Sequence, residues 1–422
     1  MYYETTKELL AFIKKSPTAF HAVEEMQARL TEDGFQVLSE KEHWKLTPGG
    51  KYVVMRNHSA LIAFTIPEKE SWKFHIIASH SDSPSFKIKE NPEIVVEKTY
   101  VKLNVEKYGG MLMAPWFDRP LSIAGRVIVR KDGKLEEKLI NFDRDLVMIP
   151  NLAIHMNREA NSGVSYNPQK DVLPLFSMGG SEVSLQKLLS AQLGIEEKDI
   201  LSHDLFLYNR MEGSIWGAEN EFASSGRLDD LQCAFASLKG FMSAQKQECI
   251  AVHCVLDNEE VGSGTKQGAA STFLKDTLLR INSGLGRTYE EYLMTLADSF
   301  MISADNAHAL HPNYTDKADP VNHPLLNKGI VIKYNANQKY CTDAVSAAVF
   351  KDLCDRAGVP WQIFVNRSDI PGGSTLGNIS NTQVPMNTVD IGLPQLSMHS
   401  PYETAGVRDT EYFVKAAREF LA

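Results

Sequence analysis

The stretch "IAVHCVLDNEEVGSG", residues 250–264, joins an apolar run directly to a group of acids. Its first seven residues carry no Asp, Glu, Lys or Arg and have the length of a strand that is buried on both faces. Asp257, Glu259 and Glu260 follow within four positions. Carboxylates so close together repel one another and raise each other's pKa. The rest of the chain must therefore supply or bind something positive opposite them.

Further strand-like runs and long helical patterns lie on both sides of this stretch. The strand-like runs are 60–66, 73–79, 300–304, 330–334, 361–365 and 387–393. The helical patterns are 228–245, 342–358 and 409–422, and the chain begins with an amphipathic pattern that stops before Pro17. Alternating strands and helices predict an α/β layered domain.

The segment 91–215 has a different pattern. Its pieces 93–110, 122–142 and 145–156 are strand-like, and Asp132-Gly133 is typical of a hairpin turn. A chain of 422 residues is also too long for one ordinary core. We therefore predict an α/β domain formed by residues 1–90 and 216–422, with a mostly β domain, 91–215, inserted into it.

Composition narrows the class of partner and the compartment. A net charge of −9 disfavours nucleic acid, because few cations are left to neutralise phosphates. The longest apolar runs are strand-sized, far short of a membrane span, and the first residues show no signal-peptide pattern. The five cysteines show no CxxC spacing and are typical of reduced thiols. We expect a cytoplasmic protein without a nucleic-acid or membrane partner.

Acids and histidines form five clusters on this scheme, four of them at the carboxyl ends of predicted strands. Such ends form the ligand crevice of open α/β sheets. The clusters are His80 with Asp82, Asp229 with Asp230 at a helix entrance, the acids of 257–260, Asp305 with His308 and His311, and His399.

Two histidines and three carboxylates from these clusters suit divalent cations. Five ligands are awkward for one tetrahedral zinc and fit two ions that share a bridging carboxylate. Because successive residues of an extended chain point opposite ways, one of Glu259 and Glu260 can bind an ion while the other acts as a general base. For Asp230 a helix cap or dipole partner is the favoured interpretation. His21, His75 and His253 are expected to be ordinary core or loop residues.

Eight motifs then occur in a characteristic order over nearly the whole chain: "SHSDSP", "SGRLDDL", "DNEEVGS", "SADNAHALHPNY", "NHP", "IKYNANQKY", "DIPGGSTLG" and "QLSMHS". Together they resemble the aspartyl aminopeptidase family of dinuclear zinc exopeptidases, including its shorter bacterial members. The resemblance implies a zinc-exopeptidase-like sandwich, with a mixed sheet between helices and an inserted, mostly β dimerisation domain. It also implies that dimers assemble into a homododecamer.

The resemblance assigns a role to each candidate residue. It implies that one ion is held by His80, Asp229 and Asp305, and the other by Glu260, Asp229 and His399. Glu259 matches the general base, Asp82 the acid that orients His80, and His155 a histidine that reaches a neighbouring subunit. Lys333, His308 and Gly373 match substrate-binding positions. The resemblance further implies two zinc ions, although Mn²⁺ and Co²⁺ also accept these ligands, and a cis Asp229–Asp230 peptide bond.

The leading hypothesis is a metalloaminopeptidase that acts on peptides and prefers an acidic first residue. The same ion pair could instead serve a neutral aminopeptidase, a carboxypeptidase or another amidohydrolase. A non-catalytic assembly protein is disfavoured, because it has no need of Glu259 beside a full ligand set. For two residues a non-functional interpretation stays open. Lys333 could snorkel to the surface, and His155 could pack locally at a strand end.

Overall fold

The structure is a computed structural model that describes residues 2–69, 71, 73–245 and 248–422. The chain divides into two compact units. The first comprises Met1–Asp82, Gly213–Met398 and Glu403–Ala422; the second comprises Ser83–Glu212 and His399–Tyr402. The sequence had placed the junctions at 90/91 and 215/216. The first junction lies earlier because one long strand of the second unit already begins at Ser85.

Nine α-helices and twenty strands are present in the described residues. The helices are α1 (Tyr2–Lys15), α2 (Ala19–Glu32), α3 (Leu185–Leu193), α4 (Leu228–Ser243), α5 (Phe273–Gly284), α6 (Tyr289–Ala297), α7 (Ala344–Ala357), α8 (Leu376–Ser380) and α9 (Asp409–Phe420). The first ten strands are β1 (Gln36–Leu38), β2 (Lys51–Arg56), β3 (Ala60–Thr65), β4 (Phe74–His80), β5 (Ser85–Val96), β6 (Tyr100–Tyr108), β7 (Leu121–Lys131), β8 (Lys134–Asn141), β9 (Leu175–Ser177) and β10 (Ile200–Asn209). The others are β11 (Ser214–Trp216), β12 (Phe222–Ser225), β13 (Ile250–Leu256), β14 (Phe300–Ala304), β15 (Ala307–His308), β16 (Ile330–Tyr334), β17 (Trp361–Val365), β18 (Asn387–Gly392), β19 (Pro394–Leu396) and β20 (Glu403–Gly406).

A nine-stranded mixed sheet organises the first unit, in the order β1-β2-β3-β13-β4-β14-β18-β16-β17. Its central strands are parallel: β4 pairs with β13 on one side and β14 on the other, and β14 pairs with β18. Their carboxyl ends therefore lie along one edge of the sheet. A smaller sheet of the same unit has the order β11-β12-β20-β19-β15.

Helices cover both faces of the nine-stranded sheet because neighbouring strand residues point to opposite sides. Val53 and Ile77 join a core with α1, α2, α4, α7 and α9. Val54 and Ile76 join a second core with α5, α6 and α8. The predicted mixed α/β fold, a sheet between two helical layers, is confirmed.

The second unit is built on a six-stranded sheet in the order β8-β7-β10-β5-β6-β9, whose pairs are antiparallel. Its hairpin between β7 and β8 turns at Asp132 and Gly133, with φ of 51° and 73°, the left-handed pair that a two-residue hairpin turn needs. The strand predicted over 145–156 is wrong beyond isolated bridges at Val147, Met148 and Ile149. Pro150 follows them and has no N–H to donate to a ladder.

Most predicted elements of the first unit agree with the structure. The strands predicted at 250–256, 300–304, 330–334 and 361–365 have the observed bounds. The five cysteines are free, as expected. Among the described residues, helices that could cross a membrane are absent, since each is too short or too polar.

Candidate metal centre

The acids and histidine of the first unit meet at the carboxyl edge of the nine-stranded sheet. His80 is the last residue of β4, and Asp305 directly follows β14. Glu259 and Glu260 form a short 3-10 turn after β13, and Asp229 lies in the first turn of α4. Because β4, β13 and β14 are parallel neighbours, these positions converge.

Ligand atoms of this cluster are within reach of a common ion. Those of His80, Asp229, Asp230 and Asp305 lie within 4.8 Å of one another, as do those of His80, Glu259 and Glu260. The Nε2 atom of His80 is 3.3 Å from Asp229 Oδ1 and 3.8 Å from Asp305 Oδ1. An imidazole nitrogen among carboxylate oxygens is a donor set that suits zinc, manganese or cobalt. The residues present therefore fit the divalent ions that the sequence predicted.

The pKa shifts of the clustered residues also support a cation site. Burial raises the pKa of Glu259 to about 8, and the nearby carboxylates of Asp305 and Asp229 add to the shift. Burial also raises the pKa of Glu260 well above its ordinary value, with Asp229 contributing. Although burial opposes its protonation, the surrounding carboxylates raise the pKa of His80. Each shift favours the protonated form, so added positive charge stabilises the cluster, and a divalent cation would supply such charge.

Asp82 connects the histidine to the glutamate turn. Its Oδ1 accepts the backbone N–H of Glu259 at 3.1 Å, and its Oδ2 accepts that of Glu260 at 3.2 Å. The Nδ1 atom of His80 lies 3.3 Å from Asp82 Oδ1 and 3.1 Å from the Asp82 carbonyl oxygen. A proton on Nδ1 satisfies these acceptors and leaves the Nε2 lone pair facing the cluster.

The sequence predicts a helix cap or a dipole partner for Asp230; the cap is wrong, although Asp230 does lie in the first turn of α4. Its side chain is fully buried, and its Oδ2 accepts the backbone N–H of His80 at 3.1 Å. The position before α4 is occupied by Arg227. The cap was predicted because the side chain of an acid at a helix entrance usually bonds to its own helix. The predicted cis Asp229–Asp230 peptide bond is present.

Sequence reasoning missed Glu403, a buried residue of β20. Its Oε2 accepts the backbone N–H of Asp229 at 3.1 Å. Only the tertiary fold brings these residues together, since they are 174 positions apart. A single glutamate at the start of a four-residue strand has no sequence pattern that predicts this contact.

Lys333 is buried rather than snorkelling, with 3% of its surface exposed. Its Nζ lies 3.5 Å from Asp305 Oδ2 and 5.4 Å from the centre of the Tyr340 ring. Burial disfavours the ammonium, but Asp305 and Tyr340 together raise the pKa of Lys333. Burial acts to raise the pKa of Asp305, yet Lys333 and His80 hold it below its ordinary value. The lysine is therefore charged beside one of the candidate ligands.

The other predicted site residues have varied surroundings. His308 is exposed, 6.1 Å from the Phe364 ring, and Gly373 is exposed in the loop 371–375. His155, in an exposed turn, belongs to the second unit. So does His399, which comes three residues after the end of β19; its carbonyl oxygen accepts the backbone N–H of Leu112.

The remaining histidines that we expected to be structural lie in the core or against it. Burial lowers the pKa of His21 to about 4 and that of His253 to about 3, so both are neutral at physiological pH. His75 stacks on Phe420, with ring centres 4.5 Å apart.

Comparison with known proteins gives one consistent result. The family model described as aminopeptidase I zinc metalloprotease (M18) matches residues 12–421. The "Probable M18 family aminopeptidase 2" of Clostridium acetobutylicum is 48% identical, over 99% of this chain and 98% of its own length. A chain in the cryo-EM structure of the Ape4 and Nbr1 complex is 38% identical with a TM-score of 0.96, covering 100% of this chain and 86% of that one. The S. cerevisiae mApe1 dodecamer structure is 27% identical with a TM-score of 0.87, covering 99% of this chain and 96% of that one.

Proposed function

This chain belongs to the aminopeptidase I zinc metalloprotease (M18) family, and on that premise we propose how its own residues carry out peptide hydrolysis. The proposal has four parts: two divalent ions per subunit, Glu259 as general base, a preference for acidic first residues, and assembly into a dodecamer. The observation that carries it is the cluster of His80, Asp229 and Asp305, whose ligand atoms lie within 4.8 Å of one another.

We assign the ion ligands as the resemblance implies. His80, Asp229 and Asp305 hold one ion, while Glu260, Asp229 and His399 hold the other. Zinc is the expected metal because the family is one of zinc metalloproteases, and Mn²⁺ and Co²⁺ suit the same donors. When bound, such ions supply Lewis acidity and a nucleophilic water at neutral pH.

Glu259 would accept the proton that the attacking water loses and pass it to the amine that leaves. Its backbone is fixed by Asp82, so its carboxylate is held beside the ligand Glu260 without being needed as a ligand itself. A base whose pKa lies near the operating pH is the most effective, and burial moves the pKa of Glu259 in that direction. Asp82 also orients His80 through the imidazole Nδ1.

Lys333 is the proposed source of a preference for acidic first residues. Its ammonium is buried beside Asp305 and over the Tyr340 ring. Once Asp305 shares its charge with an ion, the ammonium is left to pair with the side-chain carboxylate of the substrate. A buried charge pair of this kind discriminates by about 1.4–2.8 kcal/mol, or about 10- to 100-fold. His308 and Gly373 complete the proposed substrate contacts.

For the second unit we propose a role in subunit pairing within a dodecamer. The mApe1 relative is a dodecamer, and the turn that carries His155 also exposes Leu152, Ile154 and Met156, which a partner subunit would cover. His155 would then reach the active site of its neighbour. The free thiols fit a cytoplasmic location. Light scattering that shows an active monomer would end the assembly proposal.

A hydrolysis panel tests the activity and its substrate preference together. Chromogenic Asp, Glu and Leu substrates, each with a free or an acetylated amino group, are compared in zinc-, manganese- and cobalt-loaded enzyme. We expect cleavage only with a free amino group, and faster cleavage of Asp or Glu than of Leu. Lys333→Ala should reduce that preference about 10- to 100-fold. Faster cleavage of Leu by the unaltered enzyme contradicts the acidic preference, and cleavage from the carboxyl end of matched peptides favours a carboxypeptidase.

A further inference from the structure

We propose that Thr375 is a positioning residue that orients the carboxylate of Asp305 and so sets the affinity of one of the two ion positions. The inference rests on the two-ion centre proposed above. It concerns only the ion that Asp305 would hold, and leaves the ion at Glu260 unaffected.

The hydroxyl of Thr375 is committed to Asp305. Thr375 has 1% of its surface exposed, and its Oγ1 donates to Asp305 Oδ2 at 2.7 Å. It precedes α8 at the N-cap position, where a threonine hydroxyl ordinarily accepts a backbone N–H of its own helix. That side-chain cap is absent at this helix. The hydroxyl therefore serves Asp305 instead of the local helix.

The two oxygens of Asp305 consequently have different surroundings. Oδ2 accepts the Thr375 hydroxyl and lies 3.5 Å from the Lys333 ammonium, whereas Oδ1 faces His80 Nε2 at 3.8 Å. The backbone N–H of Asp305 donates to the carbonyl oxygen of Ile391 at 3.1 Å. The main chain and Oδ2 are thus both held by the protein, and Oδ1 is left to ligate. This arrangement favours a single, directed oxygen ligand over a chelating carboxylate.

Loss of the Thr375 hydroxyl leaves the carboxylate free to rotate. The contact that remains at Oδ2, Lys333 at 3.5 Å, is longer than an ordinary charged hydrogen bond and directs the oxygen weakly. Removal of a group that orients a metal ligand typically lowers metal affinity about 10- to 100-fold. Asp229 and Glu260 are oriented by other residues, since Glu403 and Asp82 accept their backbone N–H groups. The weakening should therefore be confined to one ion.

The test compares Thr375→Val, which keeps the shape without the hydroxyl, with Thr375→Ser, which keeps the hydroxyl. Thr388→Val is the matched control, because Thr388 is another buried threonine, 3% exposed, whose hydroxyl contacts Asn381 and the Met386 carbonyl. Each full-length variant is loaded with zinc or cobalt and dialysed against graded chelator. Metal content per chain and the cobalt absorption spectrum are then measured.

We expect the unaltered protein, Thr375→Ser and Thr388→Val each to keep two ions. The affinity for each ion should be similar in the three proteins. Thr375→Val should keep one ion normally and hold the other about 10- to 100-fold more weakly, with a changed cobalt spectrum. Normal retention of both ions by Thr375→Val, or equal weakening by Thr375→Ser, overturns the inference. Should Thr375→Val not fold, Thr375→Ala serves in its place. If the unaltered protein binds a single ion, the two-ion proposal fails, and the Thr375 comparison on that ion still decides the role of the hydroxyl.

Discussion

Replacement of Glu259 by glutamine tests the proposed chemistry most directly, because the structure shows what the change leaves in place. The backbone N–H of Glu259 donates to Asp82 Oδ1 at 3.1 Å, and this bond does not involve the altered side chain. Glutamine has nearly the same size as glutamate. The turn Glu259–Val261 and the neighbouring ligand Glu260 should therefore keep their positions. What is lost is the ability to accept a proton.

The expected loss follows from that single function. Burial raises the pKa of Glu259 to about 8, and nearby cations lower the pKa of a carboxyl group, so the group is suited to take up a proton near neutral pH. General acid–base catalysis contributes about 10²- to 10⁴-fold. At about 1.4 kcal/mol for each tenfold change, this equals about 3–6 kcal/mol of activation free energy. We expect kcat to fall by that factor while KM changes little.

The assay combines steady-state kinetics on an aspartyl substrate with metal analysis of the same samples. Glu260→Gln is the control, since loss of a ligand charge should lower metal content as well as turnover. Glu259→Gln should keep its full metal content and lose activity. Near-normal turnover of fully loaded Glu259→Gln refutes the base assignment, whereas loss of an ion would show that Glu259 is a ligand.

Three further predictions concern Asp82, the bound zinc and the buried Asp409. Asp82→Asn removes a charge shared by two backbone N–H groups and His80, so metal affinity in a chelator titration should fall about 10- to 100-fold; unchanged affinity contradicts this. Removal of zinc should lower the melting temperature reversibly, because an ion at 1,000 times its Kd stabilises the native state by about 4 kcal/mol. Burial raises the pKa of Asp409 from 3.8 to about 7, so between those values the native state binds the extra proton and the free energy of unfolding falls as pH rises. Thermal melts of the metal-free proteins should therefore show a smaller loss of stability between about pH 4.5 and 7 in Asp409→Asn than in the parent. An equal dependence of stability on pH in the two proteins would disprove the assignment to Asp409.

How far the sequence predicts the structure depends on what each residue contacts. The strands at 300–304 and 330–334 could be predicted because both of their faces are buried, which produces an uninterrupted apolar run. The same reasoning failed for 145–156, where Leu152, Ile154 and Met156 are apolar but exposed. Apolar character indicates burial in a strand only when a core lies on one side of the chain, and periodicity does not reveal that.

In the candidate site, too, some residues could be predicted from the sequence and others could not. Candidate ligands could be named because strand ends meet at one sheet edge and imidazole and carboxylate groups stand out there. The residues that position these candidate ligands could not be predicted. Glu403 and Thr375 each act through a single hydrogen bond, to Asp229 and Asp305, across a long sequence separation. Such contacts follow from the packed fold alone.

The supporting residues share one physical feature, and it explains how so many carboxylates are tolerated together. Asp82 accepts the N–H groups of Glu259 and Glu260, Asp230 accepts that of His80, and Glu403 accepts that of Asp229. Hydrogen bonds to an ionised carboxylate stabilise its charge, so these acids are partly satisfied by the backbone of Glu259 and of the candidate ligands. Each acid fixes the main chain of a candidate ligand, so the proposed ligands would be held in place with their own oxygens available to a cation. On the proposed assignment, a bound ion would relieve the repulsion that remains among these carboxylates, so the same charges that disfavour the metal-free site would favour metal binding.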